Sequence, residues 1–399
     1  MDSIVIVGLV VVLALFFDFT NGFHDTANAM ATPIATGALK PRTAVLIASV
    51  MNLIGAFLST AVATMISVGM INDASTLKPE IVFAGLTGAI LWNLTTWFLG
   101  LPSSSSHALF GGLIGAVIVA AGFGAVNFDS ILQKIFYPAL FAPVIAGLAA
   151  WLATRIAYAI TKRSSDDDLQ TGRGRFRYGQ IFSSSLVALA HGTNDAQKTM
   201  GVITLVLVAG GLQADGAHVQ VWVILAAALA IALGTFSGGW RIIKTMGKGL
   251  SEVKPAQGLA AEVATAATIL ASSKLGFALS TTQVASGSII GSGLGRSGGK
   301  VRWGKAGQVV LGWIFTLPAA ALVGAISSAL VLTGPAGIVI DAIVTVGVII
   351  AIFQISRRNA VTHHNVASEL EEASEVILTK KQRKANEKAA AAKARKGKK

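Results

Sequence analysis

GFHDTANAMATPIATG, residues 22–37, decides how this chain is read. It follows SIVIVGLVVVLALFFDF, residues 3–19, a run that makes about 25 Å of apolar helix at 1.5 Å per residue. A chain that has begun to cross a bilayer then presents His24, Asp25 and Asn28 where lipid should be. A carboxylate at mid-bilayer costs about 2.5–3.5 kcal/mol on insertion scales, so Asp25 needs water, a cation, a proton or a buried partner. Gly22 is expected to let the helix unwind there, which membrane depth tolerates only where the loosened backbone lines a cavity.

The composition fits that reading. Of 399 residues, 53% are hydrophobic and 13% charged, with a mean hydropathy of +0.67; apolar stretches repeatedly reach spanning length. The first run lacks a basic flank and a small-residue cleavage site, so it is expected to stay as a helix rather than be removed as a signal. The absence of cysteine excludes disulfides, thiolate metal sites and a cysteine nucleophile, and no cofactor is expected. Much of the net charge of +13 lies in KKQRKANEKAAAAKARKGKK, residues 380–399. That tail has no aromatic residue to stack on a base, which argues against nucleic acid. It reads as a cytoplasmic segment held inside by its charge and close to anionic lipid.

Apolar helices are expected over 3–20, 43–69, 80–100, 131–160, 218–237, 257–274, 306–332 and 336–356. KRSSDDDLQTGRGRFRYG, residues 162–179, divides the chain near its middle. On either side the motifs answer each other. GFHDTANAMA (22–31) aligns with GTNDAQKTMG (192–201), placing Gly22 over Gly192, Asp25 over Asp195 and Met30 over Met200, with His24 or Asn194 before each aspartate. GLPSSSSHALFGGLIGA (100–116) aligns with GFALSTTQVASGSIIGS (276–292). Two ordered matches point to duplication, the plan of transporters built from two oppositely oriented halves.

The expected fold is therefore an all-α integral membrane protein of about ten to twelve segments in two inverted repeats, with broken helices and Ser/Thr-rich helical hairpins. Its parts are a first transmembrane repeat, 1–161, a polar cytoplasmic linker, 162–179, a second inverted repeat, 180–356, and a basic, disordered tail, 357–399. The Ser/Thr clusters open helices, so hydroxyls and free N–H groups would gather at two helix N-termini, which suits an oxyanion. Ser104, Ser105, Ser106, Ser280, Thr281 and Thr282 are the candidate anion ligands, and Asp25 and Asp195 bring the compensating cations or protons. Small hydroxyl residues also serve as glue between membrane helices. Lys198, where the first half has Asn28, is read as an ion-pair partner of Asp195 or as a phosphate-directed cation. Asn52 and Asn93 are expected to bond between helices. Glu262, His107 and His191 are open between a pathway role and structural pairing.

GFHDTAN and HGTNDAQK, with GLPSSSSH and GFALSTTQ, resemble the paired signatures of the inorganic phosphate transporter (Pit) family. The likeness extends through QGLAAEVATAATI and VRWGKAGQVVLGWIFTLPAAA and fails in the linker and tail. It implies a homodimeric symporter in the cell membrane that carries inorganic phosphate with protons or a cation. Phosphate contacts would fall on Ser104–Ser106, Ser280–Thr282 and Lys198. Coupling would fall on His24, Asp25, Asn28, Asn194 and Asp195, with Asp25 and Asp195 as ligands if a cation binds. His24 and Lys198 depart from the family's commoner Asn, which weakens an oxygen shell for sodium. They match bacterial low-affinity members, which couple to protons and often carry a divalent metal–phosphate complex. Ala278 and Gln283 replace the usual Pro and His of the second hairpin. No GxxxxGK[ST] loop suggests ATP use. The alternatives are a sodium-coupled symporter, a sulfate permease and, more distantly, an intramembrane hydrolase using SSSSH and Asp25, for which no GxSxG elbow is visible.

Overall fold

The computed structural model describes residues 3–72, 77–161, 175–214, 216–358, 361–368 and 370. The polar core of the linker (162–174) and the basic run (371–399) lie outside the described residues. The described chain is almost wholly helical. Its main elements are α1 (Ser3–Ala35), α2 (Pro41–Gly55), α3 (Ala61–Gly69), α4 (Pro79–Phe98), α5 (Ser105–Ala121), α6 (Tyr137–Thr161), α7 (Arg175–Ala209), α8 (Val221–Ser237), α9 (Trp240–Lys244), α10 (Pro255–Lys274), α11 (Thr281–Gly295), α12 (Trp303–Val331) and α13 (Pro335–Arg357). Proline opens α2, α4, α10 and α13, where its fixed φ suits the first turn and its missing N–H leaves nothing unsatisfied.

The order long helix, broken helix, twenty-residue helix, short helix, long helix occurs twice, in α1–α6 and in α7–α12. Contacts between the halves exchange in the same sense. Helix α1 lies on α8 as α2 lies on α7, and α5 packs on α12 as α11 packs on α6. Membrane-length apolar helices number five among the described residues, or six when α8 and α9, bent by 59°, count as one broken span. The rest are too short for a bilayer of about 30 Å or carry buried polar residues, so hydropathy alone undercounts them. Only 22% of the most apolar windows of α12 and α13 is buried, against 72% for α4. The first two therefore present most of their side chains outward, and α4 runs through the bundle.

Three expectations need correction. Helices do not unwind at Gly22 or Gly192: α1 and α7 run unbroken through both. These glycines let helices touch. A Cβ on Gly22 would stand 2.4 Å from the Ile231 carbonyl oxygen of α8, and one on Gly192 would stand 2.2 Å from that of Asn52 in α2. The expected helix over 43–69 is two helices, α2 and α3, separated at 56–60. The real bend is at Gly238, whose φ of +75° ends α8. The segment after α13 also departs from an unstructured tail at first, since Val366 and Leu370 are buried against the core that contains Met30 and Met246.

Candidate ion-binding site

Helix α1 carries Asp18, Asn21, Asp25, Asn28 and Thr32, spaced three or four residues apart and all buried. That spacing puts them on one face, so a polar stripe of about 21 Å climbs the helix. Helix α7 contributes His191, Asn194, Asp195 and Lys198, also buried. Charges at this depth need partners, and most of these have them.

Asp25 gathers donors from three helices. His24 Nδ1 lies 2.5 Å from Oδ1. Because a carboxylate only accepts, Nδ1 carries the proton. Ser105 donates to Oδ1 at 3.2 Å, Thr282 to Oδ1 at 3.1 Å and Thr281 to Oδ2 at 3.3 Å. Asn28 Nδ2 donates to both threonine hydroxyls at 3.1 Å, holding them with their protons toward the carboxylates.

Asp195 forms an ion pair with Lys198 one turn along, and Thr281, with one hydroxyl proton to share between the two aspartates, stands nearer its Oδ2, at 2.9 Å. Lys198 reaches both hairpins, donating to Ser106 Oγ at 2.5 Å and to the Leu279 carbonyl at 2.9 Å. His191 stands between the aspartates, its Nε2 2.8 Å from Asp195 Oδ2 and 3.9 Å from Asp25 Oδ2. Its tautomer follows from the next layer. Asn52 donates through Nδ2 to Thr235 Oγ1 at 2.7 Å, which turns Asn52 Oδ1 to His191 Nδ1 at 3.0 Å. Nδ1 is thus the N–H of a neutral ring, and the Nε2 lone pair would face two carboxylates. That contact is repulsive unless a proton or a cation sits there. Asp25, His191 and Asp195 offer ligand atoms all within 4.8 Å of one another, a donor set of two carboxylates and an imidazole that fits a divalent cation.

The structure brings nine expected residues into one cluster: His24, Asp25, Asn28, Asp195, Lys198, Ser105, Ser106, Thr281 and Thr282. Three are directed elsewhere. Ser104 and Ser280 cap α5 and α11, accepting from the backbone N–H of His107 at 3.1 Å and of Gln283 at 3.3 Å. Their acceptor lone pairs serve the helix ends. Asn194 turns to the second hairpin, donating to Ser273 at 2.9 Å. Asn52 bonds between helices as expected, whereas Asn93, expected to do the same, is buried with neither side-chain polar atom bonded. Glu262 accepts from Thr32 at 2.6 Å, from Gln180 at 3.0 Å and from Ser183; it closes the far end of the stripe with neutral donors. His191, open in the sequence between a pathway role and structural pairing, joins the cluster, since its place four residues before Asp195 puts both on one helix face.

A bundle of membrane-length helices around a buried, charged, hydroxyl-lined centre is that of a multi-pass membrane transporter. The chain belongs to the phosphate transporter family, whose model matches residues 21–324. It is 54% identical over 366 residues to a probable low-affinity inorganic phosphate transporter of Mycobacterium bovis, covering 91% of this chain and 87% of that one. It is 43% identical to a probable low-affinity inorganic phosphate transporter of Bacillus subtilis, over 80% of this chain and 95% of that one. Among solved structures, a sodium-dependent phosphate transporter shares the fold with a TM-score of 0.70 at 22% identity, covering 80% of this chain and 97% of that chain. These relatives are transporters rather than enzymes.

Proposed function

We propose that this transporter moves inorganic phosphate by proton-coupled symport, with the halves as inverted repeats that rock about the Asp25–Asp195 cluster. The observation that carries the coupling is the His191 ring, whose Nε2 faces two carboxylates and calls for a proton. Charge points the same way. Two aspartates against Lys198 leave an excess negative charge in a water-poor centre, so an anion entering alone would meet repulsion. Protons that arrive with it neutralise that excess.

The hydrogen bonds suggest how coupling becomes obligatory. Ser105, Thr281 and Thr282 spend their protons on Asp25 and Asp195, and Lys198 spends its own on Asp195, Ser106 and Leu279. Phosphate would need those same donors. Protonation of the carboxylates weakens their claim as acceptors, frees the hydroxyls and Lys198 for phosphate oxygens, and turns a carboxyl O–H into a further donor. Phosphate without protons finds the donors occupied.

A second reading is favoured by the Asp25, His191 and Asp195 triad. A divalent metal travelling with phosphate would take the same three ligands and discharge the same excess, as cargo rather than resident cofactor. Radiolabelled uptake into proteoliposomes tests the first reading. Accumulation under an imposed pH gradient alone, inhibited far more by arsenate than by sulfate, supports it. Accumulation that requires a sodium gradient overturns proton coupling, and uptake at neutral pH only with added divalent metal favours the second reading.

A further inference from the structure

Seven residues before Asp25, two helical turns along the same stripe, α1 carries a second acid. Asp18 is fully buried, and neither of its carboxylate oxygens has a hydrogen-bond partner. Two more buried atoms are unpartnered beside it: Asn21 Oδ1, one turn along α1, and Thr199 Oγ1, facing Asp18 from α7. The charged and titratable groups that face Asp18 are Asp195, His191 and Lys198, all beyond contact range and all already engaged around Asp195. An ionised carboxylate left so would bear a desolvation cost of several kcal/mol with nothing to offset it.

One proton resolves the whole group. A protonated Asp18 would offer an O–H where Asn21 Oδ1, one turn along the same face, is an acceptor that lacks a donor. Its other oxygen accepts from Thr199, a donor that lacks an acceptor. A metal ion is a poorer answer, because two carboxylate oxygens, one amide oxygen and one hydroxyl fall short of the six or more oxygens that hard divalent cations take. We infer that Asp18, with Asn21 and Thr199, is a second proton-carrying site, separate from the Asp25–Asp195 cluster, that loads one proton per transport cycle. The carboxylate takes the proton from water on the side of higher proton concentration, travels neutral through the closed state, and returns the proton to water on the other side. The inference rests on the proton-coupled reading of the transporter.

The test uses the purified full chain in proteoliposomes, with three readouts: pH-gradient-driven phosphate accumulation, phosphate/phosphate exchange without a gradient, and proton influx followed with an entrapped pH dye. Asp18→Asn mimics the neutral carboxyl. It should keep exchange within about threefold of wild type while losing gradient-driven accumulation and one proton per phosphate. Asp18→Glu should restore both. Wild-type accumulation and proton stoichiometry in Asp18→Asn overturn the inference, as does loss of exchange in a variant that is folded by thermal unfolding and size exclusion, because the role would then be structural. If Asp18→Asn does not assemble, Asn21→Leu serves instead. Removing the acceptor of the proton should move the pH midpoint of exchange down by about one unit, the equivalent of one hydrogen bond, and an unmoved midpoint overturns the site. Failure of the wild type itself to respond to a pH gradient would count against proton coupling as a whole, and is visible before any variant is made.

Discussion

The hairpin of α4 and α5 and that of α10 and α11 bring hydroxyls to the same aspartates, but their turns are secured differently. At the first turn, Thr245 donates to the Gly100 carbonyl at 2.8 Å, and Trp313 Nε1 donates to that of Pro102 at 3.1 Å. Arg241 of α9 bonds the Phe98 and Ser356 carbonyls at 3.0 and 2.9 Å and lies over the Trp97 ring. At the second turn, α3 takes the place in the order that α9 has at the first, and a cleft of about 540 Å³ remains, bordered by Thr64, Ser130, Lys134, Lys274 and Gly276. Lys134 sits 4.8 Å over the Phe277 ring there. Carbonyls of both turns accept side-chain bonds, Leu279 of the second from Lys198 and Ser106, but the second turn also borders open space and two cations. The difference teaches that two hairpins of like sequence pattern need not be enclosed alike: the first turn is covered by α9 and Trp313, and the second stands open to a cleft.

The most severe way to break the comparison is to remove the partner both hairpins share. Asp25→Asn loses the carboxylate that Ser105 approaches from the first hairpin and Thr281 and Thr282 from the second. Loss of buried charge-assisted bonds costs about 3–5 kcal/mol, so uptake should fall by at least about 100-fold while membrane insertion persists. Full uptake in this variant would refute the proposed site. Next is Lys198→Met, which leaves Asp195 buried without its ammonium. It should lower thermal stability and uptake together. If Lys198 only neutralises Asp195, Lys198→Met/Asp195→Asn should recover stability; recovery of stability without recovery of phosphate affinity would show that Lys198 also meets phosphate.

A finer test weighs the hairpins against each other. Thr281 serves both aspartates and accepts from Asn28, whereas Ser105 serves Asp25 alone. At about 1.5–3 kcal/mol for a hydrogen bond to a charged group, Thr281→Val should reduce uptake about 10- to 100-fold, and Ser105→Ala by clearly less. Equal losses in the two variants would remove the second hairpin's larger share.

How much of this was legible in the sequence depended on how far apart the partners lie. Apolar run lengths are local, and they placed most outer helices within a few residues. The hydroxyl clusters were correctly tied to helix N-termini, yet which hydroxyl faces the site is not local: Ser104 and Ser280 go to caps, and their neighbours go inward. Gly22 looked like a break because a glycine in a helix has two uses, and the α8 backbone that needs it lies some two hundred positions away. His191 takes its tautomer from Asn52, in another half of the chain. Asp18 is the instructive omission. The spacing 18, 21, 25, 28, 32 is readable as a single face, but Asp18 lies within the apolar run and outside the GFHDTAN motif, so only the period ties it to Asp25.

The smallest expected effect sharpens the comparison at the turns themselves. The chain lacks cysteine, so single cysteines at Leu101 and Leu275 give a clean accessibility readout with a polar thiol reagent. Leu275 borders the cleft and is 64% exposed, so Leu275→Cys should label quickly in the otherwise unaltered protein, and Leu101→Cys slowly. Arg241→Ala removes two bonds to carbonyls from a partly exposed site, a loss of about 1 kcal/mol and so about a fivefold rise in labelling at Leu101→Cys. Labelling at Leu275→Cys should not move. A rise at both positions would mean that Arg241 stabilises the bundle as a whole rather than the first turn alone.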